Sequence, residues 1–376
     1  SMLVDAQQLA FPEAQGWGRF AKGARASTAP TVYHVTNLDD SGAGSLRDAV
    51  SQSNRIVVFD VSGVIKIKSR IVFSKNLYIS GQTAPCDGVT VYGDGVSFSN
   101  ASNIICRYLR VRMGHGGSSG KDCAGVSSGT NMIFDHCSFS WGLDETFSIN
   151  PDGKGDIGDI TIQNCIIGQG LMTHSAGGLI QADNITLYRN LYCDNSTRNN
   201  KVKGVSQFAN NIVYNWKNGA YIMGGDSEGK SYVNIESNLF SNGPAGGGAA
   251  FTGANADFHC YGNDNWQDNN TNGIYDPFEV TDYNASTREL APFDYPTLEL
   301  WKGKELIEKS LPMVGASLPY RDQSDCYMID EVRSLGMEGA LITYETALPI
   351  GAPDTWAWWA GTKPVDTDGD GMPDWW

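Results

Sequence analysis

The residues best equipped for chemistry fall in a few short stretches. NMIFDHCSFSWGLDE, Asn131 to Glu145, holds an acid beside an imidazole, Asp135-His136, and then an acidic pair, Asp144-Glu145. Asp122 lies upstream in GKDCAG, His174 downstream in GLMTHSAGG, and Arg198, Lys201 and Lys203 in DNSTRNNKVKG. Carboxylates are hard oxygen ligands of the kind calcium takes. A basic run such as Arg198 to Lys203 reads as a clamp for phosphate- or carboxylate-type anions. A lone imidazole such as His174 can bind a carboxylate or move a proton. Asp135 and His136 read as a structural hydrogen-bonding pair beneath a site. The chain carries 27 Lys and Arg against 42 Asp and Glu, a formal charge of −15. That balance argues against a nucleic-acid partner, and a polyanionic ligand would need a cation to bridge it.

The elements that position these residues are repeats. NIICRYLRVRMG, the stretch ending WGLDE, DITIQNCIIGQG, NITLYRNLYCDN, VSQFANNIVYNW and VNIESNLFSNG share one pattern. Aligned, one column reads Leu109, Cys137, Cys165, Leu191, Ile212 and Leu239, and the column before it Tyr108, His136, Asn164, Asn190, Asn211 and Asn238. Such periods with alternating apolar residues predict a solenoid of short strands. One coil cannot bury its own face, so coils stack, with strands about 4.8 Å apart. The reading is an all-β, right-handed parallel β-helix. It places the apolar column inside the cylinder and the asparagines in a ladder at a turn.

A solenoid can span such a length as one domain. Residues 1–352 are read as the β-helix domain and 353–376 as a Trp- and Asp-rich tail. Residues 11–33 are expected to wrap or cap the N-terminal end, and Ser45 to Ser51 to form a short helix capped by Ser45. The repeat is lost over residues 245–300, and within them Gly262 to Glu279 reads as a long surface loop. The eight cysteines make no CxxC pair; Cys137, Cys165 and Cys193 fall in the stacked columns and read as small apolar fillers, and free thiols are expected over disulfides. No run of about 20 apolar residues predicts a membrane span. No signal peptide is visible; a leader removed from a secreted, periplasmic or cell-surface protein is the expectation.

Phe11 to Gly23, SGAGSLRDAV, IVVFDVSGVI, SGQTAPCDG, FDHCSFSWGLDE and RDQSDCYMIDEVRSLG resemble, in this order, the pectate lyases of polysaccharide lyase family 1, of secreted bacterial type. The resemblance runs over roughly residues 10 to 350. It implies cleavage of polygalacturonate or pectin by calcium-assisted β-elimination in a monomer. Asp122 and Asp144 match calcium-binding acids of that family, with Glu145 as a further ligand. Arg198 matches the proton-abstracting arginine and Lys203 a substrate-binding cation, with Lys201 between them. The family's lysine between acids and arginine is missing, and His174 is the nearest replacement, for substrate or for proton transfer. Ser140 stands where many relatives carry a second acid, and Asn200 where they carry proline. In the tail, Asp366, Asp368, Asp370 and Asp374 are spaced like the Asp-rich calcium repeats of secreted proteins and are a possible second calcium site. The competing readings are a non-catalytic carbohydrate-binding β-helix, a pectin lyase, and a polygalacturonase, the last prompted by Gly114-His115-Gly116.

Overall fold

The computed structural model describes residues 7–359, 365–368 and 374. Its strands form three sheets of 11, 10 and 8 strands, here A, B and C. Every strand pair is parallel except Phe278–Glu279, which runs antiparallel to Trp266–Asp268. One coil shows the plan. Gly129–Asp135 belongs to sheet A, Ser138–Ser140 to sheet B and Phe147–Ile149 to sheet C. The expected parallel β-helix is the fold.

A single residue makes the bend from A to B. Tyr108, His136, Asn164, Arg189, Asn210, Ser237 and Asp264 hold it in successive coils, each with φ between 50° and 56°. One left-handed residue redirects the chain without a loop, which keeps the coils in register. This column corrects the sequence register by one residue beyond Cys165. The Cys165 amide donates to Asn190 Oδ1 at 2.9 Å, and Asn190, Asn211, Asn238 and Asn265 continue that column. Leu191, Ile212 and Leu239 therefore pair with Ile166, not with Cys165. They point out of the cylinder and are buried beneath Leu306, Met328, Ile329 and Val332.

The asparagine ladder is thus real and one residue displaced from the predicted stack. Each amide nitrogen donates back to a carbonyl of an earlier coil: Asn190 to Ile162, Asn211 to Leu187, Asn238 to Phe208 and Asn265 to Ile235, at 2.8–2.9 Å. All four are fully buried, and the oxygen and nitrogen of each side-chain amide are both engaged inside the protein.

Asn265 shows that the repeat continues past residue 245. Phe258–Asn263 and Trp266–Asp268 extend sheets A and B, so the predicted surface loop begins only after Asp268. The N-terminal segment also departs from expectation. It lies across the outer face of sheet A, where the Gly18 amide donates to Thr161 Oγ1 and the Trp17 amide to Thr186 Oγ1. The helix Leu46–Val50 instead covers the end of the core, with Leu46, Ala49 and Val50 fully buried. Its Ser45 cap accepts the Asp48 amide as predicted.

Helix Gln323–Arg333 lies on the outside of sheet B. The fully buried Arg112 donates to Asp322, Asp325 and the Ser140 hydroxyl there. All eight cysteines are free thiols. Among the described residues no helix is long and apolar enough to cross a membrane.

Candidate active site

The acids gather where the chain enters sheet C. Asp122 precedes the strand Ala124–Val126, and Asp144 and Glu145 precede Phe147–Ile149 one coil later. Parallel bridges Glu145–Ala176 and Ala176–Thr197 carry the same edge through two further coils. Stacking therefore sets Asp122, Asp144-Glu145, His174 and Arg198 along one line, although they span 77 positions of sequence (198 less 122, plus one).

Contacts within the cluster are short. The Glu145 amide donates to Asp122 Oδ1 at 3.1 Å. His174 Nε2 lies 2.8 Å from Asp144 Oδ1 and 3.5 Å from Glu145 Oε1. Arg198 Nη1 pairs with Glu145 Oε1 and lies 3.5 Å from His174 Nε2. Glu145 is buried, whereas Asp144, His174 and Arg198 are partly exposed. Asp144, Glu145 and His174 together could hold a metal ion.

Burial, and then the Glu145 and Asp144 charges, push the Asp122 carboxyl up to about 7. Burial and Glu145 raise Asp144 as well. A cation beside them would relieve the charge that raises Asp122 and Asp144, and oxygen donors suit calcium. Asp122, Asp144 and Glu145 therefore fit the ion the family resemblance implies.

A groove of about 410 Å³ runs along the outer face of sheet C beside Asp122 and Asp144. Arg70 and Lys121 line it, and Arg70 Nη1 donates to the Asp122 carbonyl at 2.8 Å. Neither was found from sequence: Arg70 lies two coils upstream, outside any motif. Lys201 and Lys203 point outward from the same sheet, since Val202 between them is in the core. Lys201 pairs with Asp226 and Lys203 lies against Gly229. Both stand on sheet C two strands beyond Phe147–Ile149, outside the lining of the groove.

Other candidates lie elsewhere. Ser140 accepts from Arg112 on sheet B and lies outside this cluster. Asn200 is buried directly before the sheet C strand Lys201–Val202. Asp135 and His136 form the expected structural pair at the A–B bend, His136 Nδ1 2.9 Å from Asp135 Oδ2. Neighbouring His136 and Arg107 hold the Asp135 carboxyl well below the usual carboxylate range. His115 Nδ1 lies 2.9 Å from Glu345 Oε1, away from the groove. Of the tail acids, Asp374 accepts the Thr367 amide and hydroxyl. Asp366 and Asp368 are described, and Asp370 lies outside the described residues.

Comparison with known proteins agrees with this arrangement. No family model matches the chain. Proteins named probable pectate lyase C from Neosartorya fischeri and Aspergillus fumigatus are 52% identical over 372 residues, 97% of this chain and 86% of theirs. This chain belongs to the pectate lyases. It is a polysaccharide lyase whose similar full-length relatives are fungal, so the bacterial-type expectation is not supported. Pectate lyase 3 of Ambrosia artemisiifolia is 26% identical over 55% of this chain and 57% of that protein. Among solved structures, a pectate lyase bound to a hexasaccharide superposes with TM-score 0.55 at 14% identity, over 82% of this chain and 98% of that one. The cedar-pollen allergen jun a 1 gives TM-score 0.53 at 16% identity, over 80% and 92%. Both share the fold of this lyase.

Proposed function

We propose that this pectate lyase is a secreted, monomeric member of polysaccharide lyase family 1. It cleaves 4-linked polygalacturonate by calcium-assisted β-elimination, leaving a 4,5-unsaturated end. The observation that carries this reading is the meeting of three acids with Arg198 at one edge of the sheet C groove.

Elimination removes the C5 proton beside the C6 carboxylate. The C4–O4 bond breaks, the C4–C5 double bond forms, and O4 leaves as an alkoxide that takes a proton from solvent water. Calcium held by Asp122, Asp144 and Glu145 would neutralise charge gathering on the C6 carboxylate. Arg198 takes the C5 proton. A guanidinium is a poor base while charged, and in the free enzyme Arg198 is engaged with Glu145. Arg198 must therefore leave Glu145 and turn to the sugar. His174, Lys201 and Lys203 bind uronate carboxylates along the groove, and burial of Glu145 holds the acid edge in place.

The test is incubation with polygalacturonate, with and without a calcium chelator, while following ultraviolet absorbance of the unsaturated product. Absorbance that rises only with calcium supports the proposal. New reducing ends without absorbance would make the enzyme a hydrolase, and neither signal would leave a carbohydrate-binding β-helix.

A further inference from the structure

The segment after the last sheet B strand carries a spacing that the groove does not use. From Asp268 it reads DNNTNGIYDPFE, twelve residues ending at Glu279. Oxygen-bearing side chains stand at positions 1, 3, 5, 9 and 12, as Asp268, Asn270, Asn272, Asp276 and Glu279, with Gly273 at position 6. This is the complete ligand spacing of a calcium loop of the helix–loop–helix type, including the turn glycine and the closing glutamate. Gly273 has φ of +78°, the left-handed bend that position requires.

A second observation points to a ligand. Asp268 is only 4% exposed, and its Oδ2 is buried with no hydrogen-bond partner among the described residues. The Asp276 and Asn270 amides face the same carboxyl, which shows that it points into the loop. A buried carboxylate oxygen without a partner is costly, and a cation would satisfy it. Strand pairing closes the ring of ligands. Glu279 is the antiparallel partner of Trp266, and Trp266 shares a strand face with Asp268. Position 12 thus returns to the strand that ends at position 1. Asn270 Nδ2 already donates to Asp276 Oδ1 at 2.5 Å, joining positions 3 and 9.

We infer that residues 268–279 bind a calcium ion that stabilises the C-terminal end of the β-helix and is separate from the catalytic groove. Asp268, Asn270, Asn272 and Asp276 supply side-chain oxygens, Ile274 a carbonyl, and Glu279 its carboxylate. The loop is tied to the segment after helix Gln323–Arg333, where the Gly273 amide donates to the Leu335 carbonyl at 3.2 Å. Tyr275 Oη donates to the Lys304 carbonyl at 2.6 Å. An ordered loop therefore fastens both outer segments to the last coil. Three carboxylates and two neutral amides make a weak site, with Kd roughly 10⁻⁴–10⁻³ M, as in extracellular calcium modules.

The experiment uses the full-length Asp122→Asn/Asp144→Asn protein, in which the groove site is weakened, with and without Glu279→Gln or Asp276→Asn. Both added changes are at exposed positions, so folding is not at risk. Calcium chloride is titrated by calorimetry, and melting is followed with calcium and with magnesium. The expected result is one weak calcium site and a calcium-dependent rise in Tm of about 5 °C at saturation. Glu279→Gln and Asp276→Asn should both abolish them. In the otherwise wild-type enzyme, Glu279→Gln should leave turnover at saturating calcium within two-fold. Unchanged titration and melting in both variants, or an equal rise with magnesium, would overturn the inference.

Discussion

At Arg198 the free enzyme holds the guanidinium against Glu145, so the base starts engaged with an acid and not with the sugar. Substrate carboxylates must compete for the cations while calcium competes for the acid. Arg198→Ala should lower turnover by about 10²–10⁴-fold, the usual size of a general-base contribution, while circular dichroism and melting stay near wild type because the side chain is at the surface. Turnover within a few-fold of wild type, read by product absorbance, would remove Arg198 from the mechanism. Asp122, Asp144 and Arg198 could be picked out from sequence because each sits in a short motif. The centrality of Glu145 could not, because it depends on burial and on a partner 53 residues later. Arg70 escaped for the same reason, since a groove residue two coils away leaves no trace in local spacing, whereas Lys121 stands beside Asp122 in GKDCAG and only the groove shows what it lines.

The elements were legible as a repeat, while their register was legible only in part. Apolar alternation defines a strand but does not say which neighbour it pairs with. Between Cys165 and Leu191 two columns compete, and the apolar one was chosen. In the structure the interior corner belongs to asparagine, since a turn carbonyl and amide need partners more than they need an apolar cover. Asn211→Ala should therefore destabilise strongly. It strands the Asn190 amide and the Leu187 carbonyl, at about 1–3 kcal/mol for each buried group. Thermal or urea unfolding beside an exposed control, Asn255→Ala, checks this, and equal effects would contradict the ladder's role. A second element-level test concerns helix Gln323–Arg333 on sheet B. Burial, and then the Asp194 charge, push the Glu331 carboxyl up to about 11, with Glu338 adding repulsion and Tyr327 a favourable hydrogen bond. The native state thus holds a proton that the unfolded chain releases above the ordinary glutamate range. Stability should fall as pH rises from that range toward about 11. Glu331→Gln removes the proton requirement and keeps the shape, so its melting temperature should fall less between pH 7 and pH 10 than that of wild type. Parallel curves would mean that the pair does not share a proton.

Across the whole molecule, a chain of charge −15 that acts on a polyanion must concentrate positive charge in one place. Long-range repulsion is screened beyond about 8 Å at physiological salt, so only charges in the groove decide binding. Arg70, Lys121, Arg198, Lys201 and Lys203 border the sheet C face, and the acids between them need a cation before substrate carboxylates can approach. Three parts of the chain compete for calcium in this account: the groove acids, the loop at 268–279, and the tail acids Asp366, Asp368, Asp370 and Asp374. Activity against free calcium separates them. Asp122→Asn and Asp144→Asn keep shape and one oxygen but lose charge, so each should move half-maximal activity to higher calcium with the fold intact. Deleting residues 363–376 should leave that curve in place, because the tail approaches the body at Asp354 and Trp359, which contact Lys66, Ser62 and Asp87 at the start of sheet B. That surface is not part of the groove. A tail deletion that shifts the curve while the two asparagine variants do not would move the catalytic calcium out of the groove and into the tail.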